Sequence, residues 1–242
     1  MIFAAGLGTR LRPLTDNMPK ALVSVAGKTM LERVILKLKD AGFHDITINI
    51  HHFGSQIIDF LRANQNFGVD IHISDERGEL LDTGGGIKKA RPLLESNEPF
   101  LIHNADILTD LDNAFYHHHL ESDADATLLT NHRKTSRYLL MNQDNRLCGW
   151  TNISTGEVLP KELDYPSNHY QLQAFGCVHV LSPSIFRYME DERWTGKFSI
   201  IPFYVDICPK ARIQGFPIDS ENWFDVGKPE TLAKAEAYYA SL

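Results

Sequence analysis

Runs of β-branched and apolar residues alternate with amphipathic stretches through the first half of the chain, and that alternation leaves few architectures open. Residues 45–50 carry Ile46, Thr47, Ile48 and Ile50, the near-continuous apolar run of a strand buried on both faces of a parallel sheet. Just before it, Leu31, Val34, Ile35 and Leu38 recur at helical spacing over 30–41, with Gly42 as the stop. The same pattern predicts a helix over 55–64, a strand over 69–74, a helix over 87–94 and a strand over 100–103. Repeated strand–helix–strand units imply an α/β fold with a doubly wound, mostly parallel, Rossmann-like sheet. Ligands of such sheets lie beyond the carboxyl ends of the strands. That edge receives Gly6 and Gly8, the run Gly84 to Gly86, and Asp106.

The second half mixes its signals. Strands are predicted over 126–132, 174–181 and 211–216, a hairpin over 137–142 and 146–150, and helices over 183–189, 198–206 and from Pro229 onward. A formal charge of −7 argues against general affinity for nucleic acid or an anionic membrane. Cys148, Cys177 and Cys208 lack Cys-x-x-Cys spacing, so reduced, buried thiols are expected rather than disulfides or a zinc ribbon. With no apolar run near the ~20 residues of a membrane helix and no secretory leader, the expected compartment is the cytoplasm.

The chemistry concentrates in Phe3-Ala4-Ala5-Gly6-Leu7-Gly8-Thr9-Arg10-Leu11-Arg12-Pro13-Leu14-Thr15, followed by Met18-Pro19-Lys20. A glycine turn after an apolar strand exposes N–H groups that cradle phosphate, and two arginines and a lysine bring positive charge to the same place. The dinucleotide fingerprint would need a third glycine at Leu11, and the P-loop would need Gly-Lys-Ser/Thr; both fail. The stretch resembles the signature of the sugar-1-phosphate nucleotidyltransferases, which begin with a strand, Ala-Gly-x-Gly-Thr-Arg-Leu and a nearby Pro-Lys.

Several roles follow from that resemblance. It implies one domain over 1–242, with a nucleotide-binding half (1–115) and a sugar-phosphate-binding half (116–242), acting as a monomer or small homo-oligomer. Its substrates would be a nucleoside triphosphate and a sugar 1-phosphate. Arg10 would grip the β and γ phosphates, and Lys20 would reach the α-phosphate and the incoming phosphate. Ala4, Ala5, Gly6, Gly8 and Thr9 would contribute nucleotide-binding backbone, together with Thr83, Gly84 and Gly85 of Leu81-Asp82-Thr83-Gly84-Gly85-Gly86. Asp106, in Asn-Ala-Asp after the fourth strand, and Asp225, in Asp-Val-Gly, would hold Mg²⁺.

Acceptor recognition is less marked. The Glu-Lys-Pro triplet of many relatives is missing at Gly149-Trp150-Thr151-Asn152, which leaves Asn104, Asn152, Gln173 and Gly176 as sugar-binding candidates. The Leu-Asp-Thr-Gly-Gly-Gly-Ile version most resembles N-acetylmuramic acid 1-phosphate uridylyltransferases of cell-wall recycling. Guanylyltransferases of mannose or heptose 1-phosphate share nearly all the landmarks, so UTP is the expected donor with GTP or CTP as rivals. A non-catalytic nucleotide-sugar-binding regulator is the alternative of another class. The run His117-His118-His119 is expected to be a solvated helix face, since consecutive helical residues diverge.

Overall fold

The computed structural model describes residues 1–94, 96–219 and 222–242. The first half runs β1 (Ile2–Phe3), a small hairpin of β2 (Ser24–Val25) and β3 (Lys28–Thr29), α1 (Met30–Asp40), β4 (Asp45–Ile50), α2 (Gly54–Ala63), β5 (Asp70–Asp75), α3 (Asp82–Leu94) and β6 (Phe100–Asn104). The second half continues with β7 (Ile107–Thr109), α4 (Ala114–Leu120), β8 (Ala126–Asn131), β9 (Arg137–Met141), β10 (Leu147–Asn152), β11 (Glu157–Leu159), β12 (Gln171–Leu181), α5 (Ile185–Tyr188), α6 (Ile200–Ile207), β13 (Ile213–Pro217), β14 (Trp223–Asp225) and α7 (Pro229–Ala240).

The main sheet has the order β11-β10-β9-β12-β6-β1-β4-β5. From β6 to β5 all neighbours are parallel, with Ile2 of β1 opposite both Ile48 and His103. Short as it is, β1 lies between β4 and β6, so the chain leaves it at the centre of the carboxyl edge. Beyond β6 the sheet turns antiparallel through the long β12, which also pairs with β8, itself parallel to β13. Successive residues of β6 feed opposite layers: Leu101 packs with Leu31, Val34 and Ile35 of α1, whereas Phe100 and Ile102 pack with Ile87 of α3 and Phe203 of α6. The sheet is therefore covered on both faces, as the alternating pattern requires. Among the described residues, no helix is long and apolar enough to cross a membrane.

Three expectations change and one element is new. First, α3 starts at Asp82, not Ile87, so the glycines form its first turn. The N–H groups of Gly84 and Gly85 donate to Phe198 O (2.9 and 3.1 Å), which secures that turn from outside. Second, the solvated face expected of the histidine run is only partial: α4 lies over β8, and His119 is buried between Thr127 Oγ1 (2.8 Å) and Ser182 Oγ (3.0 Å). Third, a two-stranded ladder of β7 with β14 stands apart from the main sheet. Fourth, the three cysteines are free thiols as expected, but their residues are partly rather than fully buried, Cys177 and Cys208 packing against the edges of the core.

Candidate active site

The site grows from the end of β1. Ala4 N donates to Asn49 Oδ1 (2.8 Å) and Ala105 N to Phe3 O (2.9 Å), which ties the loop's first residues to β4 and to the segment after β6. Asn49 passes the constraint on, because its Nδ2 donates to Glu76 Oε1 (2.8 Å) and the other oxygen of that buried carboxylate accepts from Leu81 N (3.1 Å). The glycine loop and the approach to α3 are thereby held as one frame. Gly8 has φ +67, and a Cβ there would stand 2.9 Å from Lys20 Cβ and 3.1 Å from Thr15 Cγ2, so both conformation and space demand glycine. Gly6, exposed and with nothing within 4 Å of a notional Cβ, leaves its backbone open.

Lys20 opens a short 3-10 turn after Pro19, and its ammonium bonds Asp106 Oδ2. Asp106 directly precedes β7, where Ile107 stands opposite Asp225 of β14, and Val226 N donates to Asp106 O (2.9 Å). Residues separated by over a hundred positions thus become neighbours on one antiparallel ladder. A Cβ at Gly227 would lie 2.6 Å from Arg10 Nη2 and 2.8 Å from Asp225 Oδ1, so the guanidinium of the first loop and this carboxylate share the surface of one glycine. The shared field registers on Cys177, whose thiol is pushed up to about 12 by burial and by Asp106 and Asp225, against the opposing pull of Arg133 and Lys20.

Two cavities meet here. The smaller, about 340 Å³, is lined by Ala4, Ala5, Gly6, Lys20, Thr83 and Asp106. The larger, about 1120 Å³, is lined by Arg10, Arg133, Trp150, Trp223, Asp225 and Lys228 among others. Phe3, Asp82, Thr83 and Asn104 line both and form the common wall. One carboxylate just before β7 and another at the end of β14 are the hard-oxygen set that Mg²⁺ accepts when phosphate oxygens and water complete its shell. Among the described residues, no group of three or more His, Cys, Asp or Glu could hold an ion unaided.

The other sequence candidates sit differently. Gly84 and Gly85 turn away from both cavities: a Cβ on Gly84 would strike the Phe198 ring, and one on Gly85 the Gly196 carbonyl oxygen. Thr83 faces the common wall while its Oγ1 accepts from Ile200 N (2.9 Å). Thr9 lies in the 3-10 turn after Gly8 and lines neither cavity. Gln173 is buried between Thr130 Oγ1 (2.6 Å) and Asn145 Oδ1 (2.8 Å). Asn152 Oδ1 accepts from Ser154 N (3.1 Å) in the turn after β10. The Gly176 carbonyl accepts from Trp223 Nε1 (3.1 Å), and its Cα faces Leu129. None of these last three lines a cavity, whereas Asn104 lines both. Arg133, Glu76 and Asn49 were not singled out from sequence; the signal for Arg133 was the basic run 132–134 at the carboxyl end of an apolar strand.

Comparison with known proteins decides the family. A nucleotidyl transferase family model matches residues 1–241. The chain belongs to the nucleotidyl transferase family. This nucleotidyltransferase is 31% identical over 249 residues to the N-acetylmuramate alpha-1-phosphate uridylyltransferase of Caulobacter vibrioides, with 99% of the chain and 96% of the relative covered. It is 49% identical over 112 residues to a protein of that name from Neisseria meningitidis serogroup B; that match covers 46% of the chain and 48%, about half, of the relative. The crystal structure of HddC from Yersinia pseudotuberculosis complexed with GMP-PN superposes with a TM-score of 0.75 at 25% identity, covering 98% of this chain and 97% of the other. The nucleotidyltransferase thus has the fold of an enzyme family, and its converging cations and acids lie on the carboxyl edge of the sheet.

Proposed function

We propose that the protein transfers a uridylyl group from UTP to a sugar 1-phosphate, N-acetylmuramate 1-phosphate being the leading acceptor. The observation that carries this reading is the pairing of Lys20 with Asp106 on the smaller cavity and of Arg10 with Asp225 beside Gly227 on the larger, the two acids being tied by the β7–β14 ladder and the two cavities by a common wall. A donor in the smaller cavity would place its phosphates against the Ala4–Gly6 backbone and Lys20. An oxygen of the acceptor phosphate attacks the α-phosphorus, the bond to the bridging oxygen breaks, and pyrophosphate departs with the electron pair. Both partners are anions, so catalysis is alignment and neutralisation. Arg10 holds the departing phosphates, and Lys20, released from Asp106 as phosphate arrives, offsets charge on the α-phosphate. Asp106 and Asp225 would hold Mg²⁺, which when bound supplies positive charge to the phosphate oxygens.

The names of the Caulobacter and Neisseria relatives favour UTP and N-acetylmuramate 1-phosphate. The GMP-PN bound to HddC makes GTP the competing donor. Pyrophosphate release measured for UTP, GTP, CTP, ATP and dTTP against a panel of sugar 1-phosphates with Mg²⁺ tests the proposal. The expected best pair is UTP with N-acetylmuramate 1-phosphate. A preference for GTP overturns the base, a preference for another sugar overturns the acceptor, and nucleotide binding without release favours the regulator.

A further inference from the structure

We propose that Arg133 receives the phosphate of the acceptor substrate. This rests on the reading of the larger cavity as the acceptor's, and the test below separates the two claims.

Any phosphate nucleophile brought toward a triphosphate meets repulsion, so its own side of the site needs a cation. The proposed function spends Lys20 and Arg10 on the donor's phosphates, and although Arg10, Lys228 and Lys234 also line the larger cavity, Arg10 lies against Gly227 and Asp225 and Lys228 caps the start of α7. On the acceptor side, Arg133 stands two residues beyond the end of β8. It is half-buried and lines the larger cavity. Its Nη1 donates to Asn131 Oδ1 (2.9 Å) and its Nη2 to Phe175 O (2.9 Å). Its Cζ lies 4.2 Å from the centroid of the Trp223 ring, which is itself fixed by the bond from Trp223 Nε1 to Gly176 O. Two neutral acceptors and an aromatic face hold the fork still and leave three of its five N–H donors uncommitted.

The charge on that fork lacks compensation. Among the described residues no ion pair includes Arg133, although Cys177, Asp225 and Tyr138 act on it through space. Partial burial of an unpaired guanidinium is costly, and the arrangement makes sense when an anion completes it. Burial pushes the group down from its ordinary value, yet an arginine stays charged. A planar fork also suits the tetrahedral oxygens of phosphate better than a lysine's point charge does. Lys134 and Arg137 line the same cavity from exposed positions and add attraction at its mouth.

The test uses the full chain and three variants, R133A, R133Q and R133K. Steady-state rates with the acceptor identified by the panel should show KM for that acceptor raised about 10- to 100-fold in R133A, the scale of one charge-assisted bond. KM for the nucleotide should stay within about twofold, and R133K should recover part of the loss. An acceptor KM within twofold of the parent overturns the proposal, as does an equal rise for both substrates. If R133A does not fold, R133Q and R133K carry the same comparison. Calorimetric titration of N-acetylglucosamine 1-phosphate and of inorganic phosphate onto each protein, without nucleotide, gives a readout independent of turnover. Binding by the parent that R133Q weakens at least tenfold supports Arg133 even if no nucleotidyl transfer is found; equal binding, or none by the parent, overturns it.

Discussion

Gly85→Ala gives the sharpest check on how the first turn of α3 is held. The added Cβ would stand 3.0 Å from Leu81 Cβ and still closer to the Gly196 carbonyl oxygen, which is backbone and has little room to yield. Overpacking of this kind costs about 1–3 kcal/mol. Displacing the 196–198 segment also strains the bonds from Gly84 N and Gly85 N to Phe198 O and from Phe198 N to Leu81 O, each worth about 1 kcal/mol net. Alanine returns about 1 kcal/mol through its better helix propensity. The balance is a loss of about 2–4 kcal/mol, and Tm should fall by roughly 4–16 °C for a chain of this size. The assay is scanning calorimetry of nucleotide-free protein, with Gly6→Ala as the control. At Gly6 nothing lies within 4 Å and the backbone is not left-handed, so the control should melt within about 2 °C of the parent. A Gly85→Ala protein that melts like the parent without ligand would refute the packing role and return Gly85 to the nucleotide.

Other perturbations address the chemistry and the buried histidines. Lys20→Ala should lower kcat by at least about 100-fold and leave the far-ultraviolet circular dichroism spectrum unchanged, because this lysine serves a loop rather than the core; near-parental turnover would remove its role. Asp225→Asn should shift the Mg²⁺ activation midpoint upward by about tenfold or more, and an unchanged metal titration would exclude it as a ligand. Burial pushes His103 and His119 down to about 4 and His179 to about 3, so the folded protein keeps all three neutral. Between about pH 6.5 and 4 the unfolded chain therefore binds more protons. Stability should be fully present above pH 6.5 and decline as pH falls through that window. Urea midpoints at pH 7, 6, 5 and 4 check the sign, and His119→Gln should flatten the slope.

The parallel half was legible because period and length there admit one solution. The run 45–50 is a strand from Asp45 to Ile50, and the predicted 30–41 helix spans Met30–Asp40. Lys20, Asp106 and Asp225 were legible as motif members, but their mutual placement was not. It depends on β7 and β14, three residues each, paired across the chain; such short ladders leave no periodic trace. The start of α3 was hidden because glycines signal loops, and what holds them in helix is the Phe198 carbonyl, remote in sequence. Arg133 belongs to no motif, and what sets its position, the Trp223 ring and the Phe175 carbonyl, is remote from it in sequence. Gln173 had the opposite fate, a polar residue beside a promising glycine whose bonds are all spent inside the protein.

An irregularity in β12 explains how Arg133 in the larger cavity is joined to the acids. The register of β12 against β8 shifts between Phe175 and His179, and Cys177 within the shift adopts φ +58. Such a bulge takes carbonyls out of the ladder and re-aims them. The Phe175 carbonyl is used by Arg133 and the Gly176 carbonyl by Trp223, so the interruption anchors both members of the stacked pair. Trp223 begins the strand that ends at Asp225, and that strand pairs with β7, which follows Asp106. The fork of Arg133 is in this way set relative to both carboxylates through backbone groups rather than through flexible side chains. A regular β12 would satisfy its own hydrogen bonds and leave the arginine and the tryptophan without fixed partners, which is a physical reason for a left-handed cysteine to persist in the middle of a buried strand.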